Sequence, residues 1–160
     1  QPFGTDGAPL WPLSQEAAQD TIALDVGAGI GRISSGLLCK LCTTVDLVDG
    51  CQNFVDHARS TLSRRDGQGK MDRFICADLQ TFVPEPGRYA LIWIQWVVGQ
   101  LTDDDLIRCL ERCKTALRPG GLIIIKDNVL DTEQDTSENW LVDGRYLIDE
   151  EDASVIRTRE

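Results

Sequence analysis

Apolar runs alternate with amphipathic stretches along most of the chain, and the two periods separate cleanly. Residues 21–26, 43–48, 73–77, 89–97 and 122–126 are short, β-rich and bounded by turn formers, so they read as strands. Between them, Ile33, Leu37, Leu38 and Leu41 recur at helical spacing, as do Phe54, Val55, Ala58 and Leu62. A further helix over 103–117 places Leu106, Ile107, Leu110, Cys113 and Leu117 on one side, and Arg118-Pro119-Gly120-Gly121 stops it. The stretch 89–97 is the most apolar and predicts a strand buried on both faces. Strands alternating with helices predict an α/β fold with a doubly wound, mostly parallel sheet.

The ends break this rhythm. Residues 1–20 carry Pro2, Pro9 and Pro12 without a periodic pattern and read as an N-terminal arm ahead of a domain over 21–160. Trp11 is expected either to pin that arm or to lid a pocket. Between 131 and 152 the chain turns acidic, which fits a solvated insert or one wall of a cation pocket. A helix is expected from Ser154 onward.

The first strand runs into Leu24-Asp25-Val26-Gly27-Ala28-Gly29-Ile30-Gly31-Arg32, three glycines opening a helix. Glycine serves there because a side chain would block close approach of backbone to a ligand or forbid a positive φ. Dinucleotide domains space these glycines G-x-G-x-x-G. The G-x-G-x-G spacing here resembles the Rossmann-like S-adenosylmethionine-dependent methyltransferases instead. Asp49 closes the second strand 18 residues after Gly31, where an acid can accept from both ribose hydroxyls. The competing role for Asp49 is to cap the following helix.

Charge and cysteine content narrow the class. The formal net charge of −10 argues against nucleic acid as the main substrate and permits a cationic one. No apolar run approaches the ~20 residues of a membrane span, and no secretory pattern opens the chain. The six cysteines lack zinc or small-scaffold spacing, and Cys39-Lys40-Leu41-Cys42 has no second pair. They are read as reduced packing residues, with no metal, in the cytoplasm or nucleus.

Past the fourth strand the likeness sharpens. Trp93-Ile94-Gln95-Trp96-Val97-Val98-Gly99-Gln100-Leu101-Thr102-Asp103 resembles the protein α-N-terminal methyltransferases, as do Arg112 to Gly121, Ile124-Ile125-Lys126-Asp127-Asn128 and Asp149 to Val155. That family methylates the free α-amino group of proteins beginning Xaa-Pro-Lys or Xaa-Pro-Arg, with S-adenosylmethionine as donor and S-adenosylhomocysteine as product. The resemblance implies that Gly27, Gly29 and Arg32 hold the donor's methionine end, with the guanidinium on its carboxylate. Asp49 then holds the ribose, Leu79 and Gln80 flank the adenine, and Gln95 lies beside the methionine end. Trp96 and Asn128 line the peptide channel, and Asp149 and Asp152 meet the cationic N-terminus and the lysine after it. Asp152 and Asn128 are the catalytic candidates. The expected partner is an N-terminal peptide, without direct nucleic acid or membrane.

The residues alone support plainer roles. Tryptophans in buried strands, Trp93 and Trp96 among them, are more often core. Asn128 suits a turn, and Asp149 and Asp152 could open a helix. Two departures from the family stand out. Gln100 occupies the position of a histidine and cannot take a proton near neutral pH. The last two, antiparallel strands of such sheets are not found, so a shortened domain is expected. Two other readings remain: a methyltransferase for another amine, and a non-catalytic module that keeps the cofactor fold.

Overall fold

A computed structural model describes residues 20–63, 70–130, 146–148 and 154–158. The expected arm over 1–20, with Trp11, falls outside these residues apart from Asp20, as do Asp149 and Asp152.

Five strands form the main sheet: β1 (Ile22–Val26), β2 (Thr44–Asp49), β3 (Lys70–Cys76), β4 (Tyr89–Gln95) and β5 (Leu117–Lys126). Their order is β3-β2-β1-β4-β5 and every pairing is parallel. Successive strands step outward from β1 to β3, and the chain then crosses back to place β4 on the other side of β1. The C-terminal ends of β1 and β4 therefore flank the switch point, where open α/β sheets bind ligands.

The alternation of side chains along each strand decides which helix covers which face. Ala23, Val45 and Leu91 meet Leu38 of the first helical segment, α1 (Ser34–Leu38 and Cys39–Leu41), and Cys42 just after it, while Leu47 meets Val55, Ala58 and Leu62 of α2 (Gln52–Leu62). Leu24, Val26, Val48, Ile92 and Ile94 point the opposite way, onto Cys109, Cys113 and Ala116 of α3 (Asp103–Ala116). The sheet is thus wound on both faces, as the sequence predicts. α1 is π-helical over Ser34–Leu38 before α-helical Cys39–Leu41. Thr102 caps α3, its Oγ1 accepting from the Asp105 N–H at 3.2 Å.

Several local expectations change. Ile107 is 56% exposed and Phe54 47% exposed, because Cys109, Cys113 and Ala116 rather than Ile107 face the sheet and Phe54 borders a cleft. β5 begins at Leu117, directly after α3: Leu117 pairs with Tyr89, residues 118–121 bulge out, and Leu122 resumes pairing with Leu91. The segment from Ser154 is not a helix. Val155–Thr158 is a strand, β8, pairing parallel to β6 (Val129–Leu130) and antiparallel to β7 (Tyr146–Ile148) in a second, three-stranded sheet. Its Val155, Ile156 and Thr158 are β-branched, which favours the extended form.

A buried carboxylate locks the end of the sheet away from the switch point. Asp46 is fully buried at the β2–β3 register shift. It accepts from Arg88 Nε at 3.0 Å, Tyr89 OH at 3.0 Å and the Arg73 N–H at 3.2 Å. Burial and the adjoining carboxylate both push the Tyr89 phenol upward, so it stays a donor. Removing Asp46 would leave Arg88 Nε and the Tyr89 phenol without their buried acceptor, with the half-exposed Asp72 still paired to the guanidinium. Asp46→Ala is expected to cost about 3–5 kcal/mol and Tyr89→Phe about 1.5–3 kcal/mol in urea unfolding. The exposed Asp56→Ala, at the Arg59 pair, should cost about 1 kcal/mol or less. Equal losses at the three sites would refute the assignment.

Candidate active site

The glycine loop is shaped by one close approach. Gly27 follows β1 with φ of +69°, and a Cβ there would lie 2.6 Å from Val97 Cβ. Only a residue without a side chain lets the β1 and β4 loops pass each other. The loop is also tied sideways: Gly27 and Ala28 donate to the Val48 carbonyl, at 2.9 and 3.1 Å. Asp49 completes the tie. Its Oδ2 accepts from the Gly29 N–H at 2.7 Å and its Oδ1 from the Cys51 N–H at 2.8 Å. The sequence left cap and ribose roles open for Asp49. The carboxylate braces the loop and Cys51, the residue just before α2, and each oxygen keeps a further acceptor position.

Two clefts open on either side of Gly27. The first, about 210 Å³, is lined by Gly27, Asp49, Leu79 and Gln80 together with Val97 and Gln100. The second, about 360 Å³, is lined by Gly27, Gly29, Arg32, Gln95 and Trp96, and also by Asp25 and Phe54. All seven residues expected to hold a cofactor thus line one or other of two clefts that share Gly27, and Trp96 lines the second. Asn128 is exposed just beyond β5, its N–H donating to Asp127, and it lines neither cleft.

The walls are held by residues that the sequence did not single out. Arg112 of α3 donates to the carbonyls of Leu79 at 2.6 Å and Phe82 at 2.7 Å, fixing the loop that carries Gln80. Asp127 Oδ2 accepts from the N–H groups of Val97 and Val98, at 3.1 and 3.0 Å. Both act on backbone, which leaves no pattern in a single sequence.

Trp96 closes β4 with φ of +55°, a conformation costly for a bulky residue. The kink turns the indole out, 53% exposed. The Arg32 guanidinium lies 5.2 Å and the Lys126 ammonium 4.6 Å from its ring centroid. The ring is therefore a surface already used by cations. Trp93, by contrast, is half-buried and donates to Gln95 Oε1 at 3.0 Å, which orients that amide.

Asp25 is the buried acid of the second cleft. Ser34 Oγ donates to it at 2.6 Å. Burial pushes its pKa up to about 6, against the lowering effect of the Ser34 hydrogen bonds, with Asp49 adding a smaller push. Arg32 and Asp25 give this cleft a positive and a negative pole, which suits a zwitterionic amino acid. The first cleft offers carboxylate acceptors for hydroxyls and the buried Leu79 for a flat ring. The two together fit the methionine and adenosine halves of S-adenosylmethionine.

Comparisons with known proteins agree with this chemistry. Residues 12–160 match the family described as AdoMet-dependent proline di-methyltransferase. The zebrafish (Danio rerio) N-terminal Xaa-Pro-Lys N-methyltransferase 1 is 54% identical over 107 residues, covering 67% of this chain and 47% of the relative. The Xenopus laevis N-terminal Xaa-Pro-Lys N-methyltransferase 1-A is 46% identical over 149 residues, covering 91% and 60%. A solved SAM-dependent methyltransferase from Leishmania major superposes with a TM-score of 0.73 at 36% identity, over 89% of this chain and 51% of that one. The chain thus spans roughly half the length of the relatives it matches.

The raised Asp25 value makes a stability prediction. The native state keeps this proton to higher pH than the unfolded chain does. Its contribution is therefore full below about pH 4 and is lost as pH rises through 6. Asp25→Asn has no proton to lose, so its stability relative to the parent should rise by about 3 kcal/mol between about pH 4 and pH 7. Denaturant unfolding at both pH values checks this; a difference that does not change with pH refutes it.

Proposed function

Since the chain belongs to the AdoMet-dependent proline di-methyltransferase family, we propose that its protein methylates the free α-amino group of protein N-termini of Xaa-Pro-Lys or Xaa-Pro-Arg type. The observation that carries this reading is the pair of clefts that share Gly27. One side fits a nucleoside, the other a zwitterion, and an exposed indole with cations on it stands at the rim. The names of the zebrafish and frog relatives supply the substrate class.

S-adenosylmethionine, when bound, supplies an electrophilic methyl carbon on a sulfonium, which an amine takes by displacement to leave S-adenosylhomocysteine. The chain's own task is then binding and alignment. Gly27 and Gly29 offer backbone without side chains, Asp49 accepts ribose hydroxyls, and Leu79 and Gln80 flank the base. Arg32 pairs with the carboxylate, Asp25 faces the ammonium, and Gln95 borders the same end. Trp96 packs against the proline of the substrate, and Asn128 anchors a peptide carbonyl. Asp149 and Asp152 attract the cationic N-terminus and the basic third residue, and Asp152 receives the amine proton.

Gln100 cannot serve as a base, and a strong one is not required. An α-amine has a pKa of about 7.7–8.0, so a useful fraction is already neutral near pH 7. Holding amine nitrogen, methyl carbon and sulfur in line, at an approach of about 3–3.5 Å, supplies most of the acceleration.

An Xaa-Pro-Lys peptide incubated with the full chain and S-adenosylmethionine should gain methyl groups by mass spectrometry, and its N-acetylated form should gain none. The rate should climb as pH rises from about 6.5 to 8, as the amine loses its proton. Asp152→Asn should slow transfer at least about tenfold while S-adenosylhomocysteine affinity stays within about twofold. Donor binding without transfer to any amine would replace the enzyme reading with that of a binding module, which Gln100 favours.

A further inference from the structure

We propose that Arg157, on β8 of the second sheet, is a positioning residue for the cofactor cleft. It holds the turn that forms one wall of that cleft. The inference rests on reading the cleft as the donor site, and it adds a residue from outside the main sheet to that site's machinery.

The turn in question, Val98–Gln100, follows β4 and leads through Leu101 into α3. Gln100 and Leu101 line the 210 Å³ cleft opposite Leu79, and Val97 lines it from the other end of the turn. From the main sheet, Asp127 fixes only the start of the turn, through the N–H groups of Val97 and Val98. Its far end is gripped from the second sheet. Arg157 Nη1 donates to the Val98 carbonyl at 3.0 Å and Nη2 to the Leu101 carbonyl at 2.7 Å. Its Nε donates to Asp103 Oδ1 at 2.8 Å. One rigid guanidinium thus spans both ends of the segment that carries Gln100, with a fork geometry that an ammonium cannot copy. Asp103 is mostly exposed, so the ion pair orients the fork and the carbonyl bonds carry the constraint.

A second, independent feature brings the same two segments together. A Cβ on Gly99 would lie 2.9 Å from the Val155 carbonyl oxygen and 3.2 Å from Ser154 Cβ. The middle of the turn is therefore glycine because β8 lies against it. Close backbone contact and the arginine fork act on one interface, and the second sheet thereby sets where Gln100 and Leu101 stand.

The test is calorimetric titration of the full chain with S-adenosylhomocysteine, alongside thermal unfolding of the ligand-free variants. Arg157→Ala and Gly99→Ala should each weaken binding roughly tenfold, and the double variant should be weaker by much less than the product of the two. Arg157→Lys keeps the charge opposite Asp103 but should recover little of the affinity, because it cannot span both carbonyls. Arg108→Ala, at an exposed pair on α3, should leave affinity unchanged. Arg157→Lys and Gly99→Ala should lower the unfolding temperature yet still unfold cooperatively well above the titration temperature, which separates positioning from loss of fold. Affinity within twofold of the parent in these folded variants, or fully independent effects, would overturn the proposal while leaving the donor site intact. A parent chain that binds no S-adenosylhomocysteine would overturn the reading of the cleft itself, and this inference with it.

Discussion

The missing side chain at residue 27 is the constraint on which the site depends. Strand order places the ends of β1 and β4 side by side, and any Cβ at Gly27 would meet Val97. Because the two loops touch there, the depression at the switch point is divided into two compartments of different chemistry that share one backbone. The division is geometric before it is chemical. Polar groups from β1, β2 and β4 can be distributed around a ligand only because the backbone between them has no bulk.

Four aspartates show how one residue type is put to different uses by depth and neighbours. Asp46 sits among donors at the far end of the sheet and holds strands together. Asp49 and Asp127 lie at strand ends and accept backbone N–H groups, so they set loop geometry. Asp25 has a hydroxyl partner, and burial leaves it reluctant to ionise. The fold's stability and the site's shape are thus assigned to opposite ends of the same parallel strands. A change at Asp46 tests the first and a change at Gly27 the second.

The main sheet was legible because its strands and helices keep distinct periods, and the glycine loop because its chemistry demands a rare residue three times. Six of the seven cofactor candidates line the two clefts because they stand at a strand end or in the loop after it, and Arg32 because it stands where the following helix begins. What the sequence hid falls into two kinds. Arg112, Asp127 and Arg157 act on carbonyl or N–H groups far away in the chain, and a lone sequence carries no mark of such partners. The segment at Val155 reads as a helix because acidic residues ahead of it look like a helix start, whereas the β-branched run itself pairs with β6 and β7. Apolar spacing alone puts Ile107 and Phe54 inside, whereas Cys109 and Ala116 fill the inner face of α3 beside Cys113 and Phe54 of α2 borders a cleft.

Trp96 carries the one left-handed torsion among the described residues other than glycine. The angle that swings its indole over two cations is an angle at which glycine is the comfortable occupant. Backbone ease and a usable ring are therefore opposed at this position. A library of variants sorted only for heat tolerance should discard the indole early, and the survivors would be sturdier molecules with a blank rim.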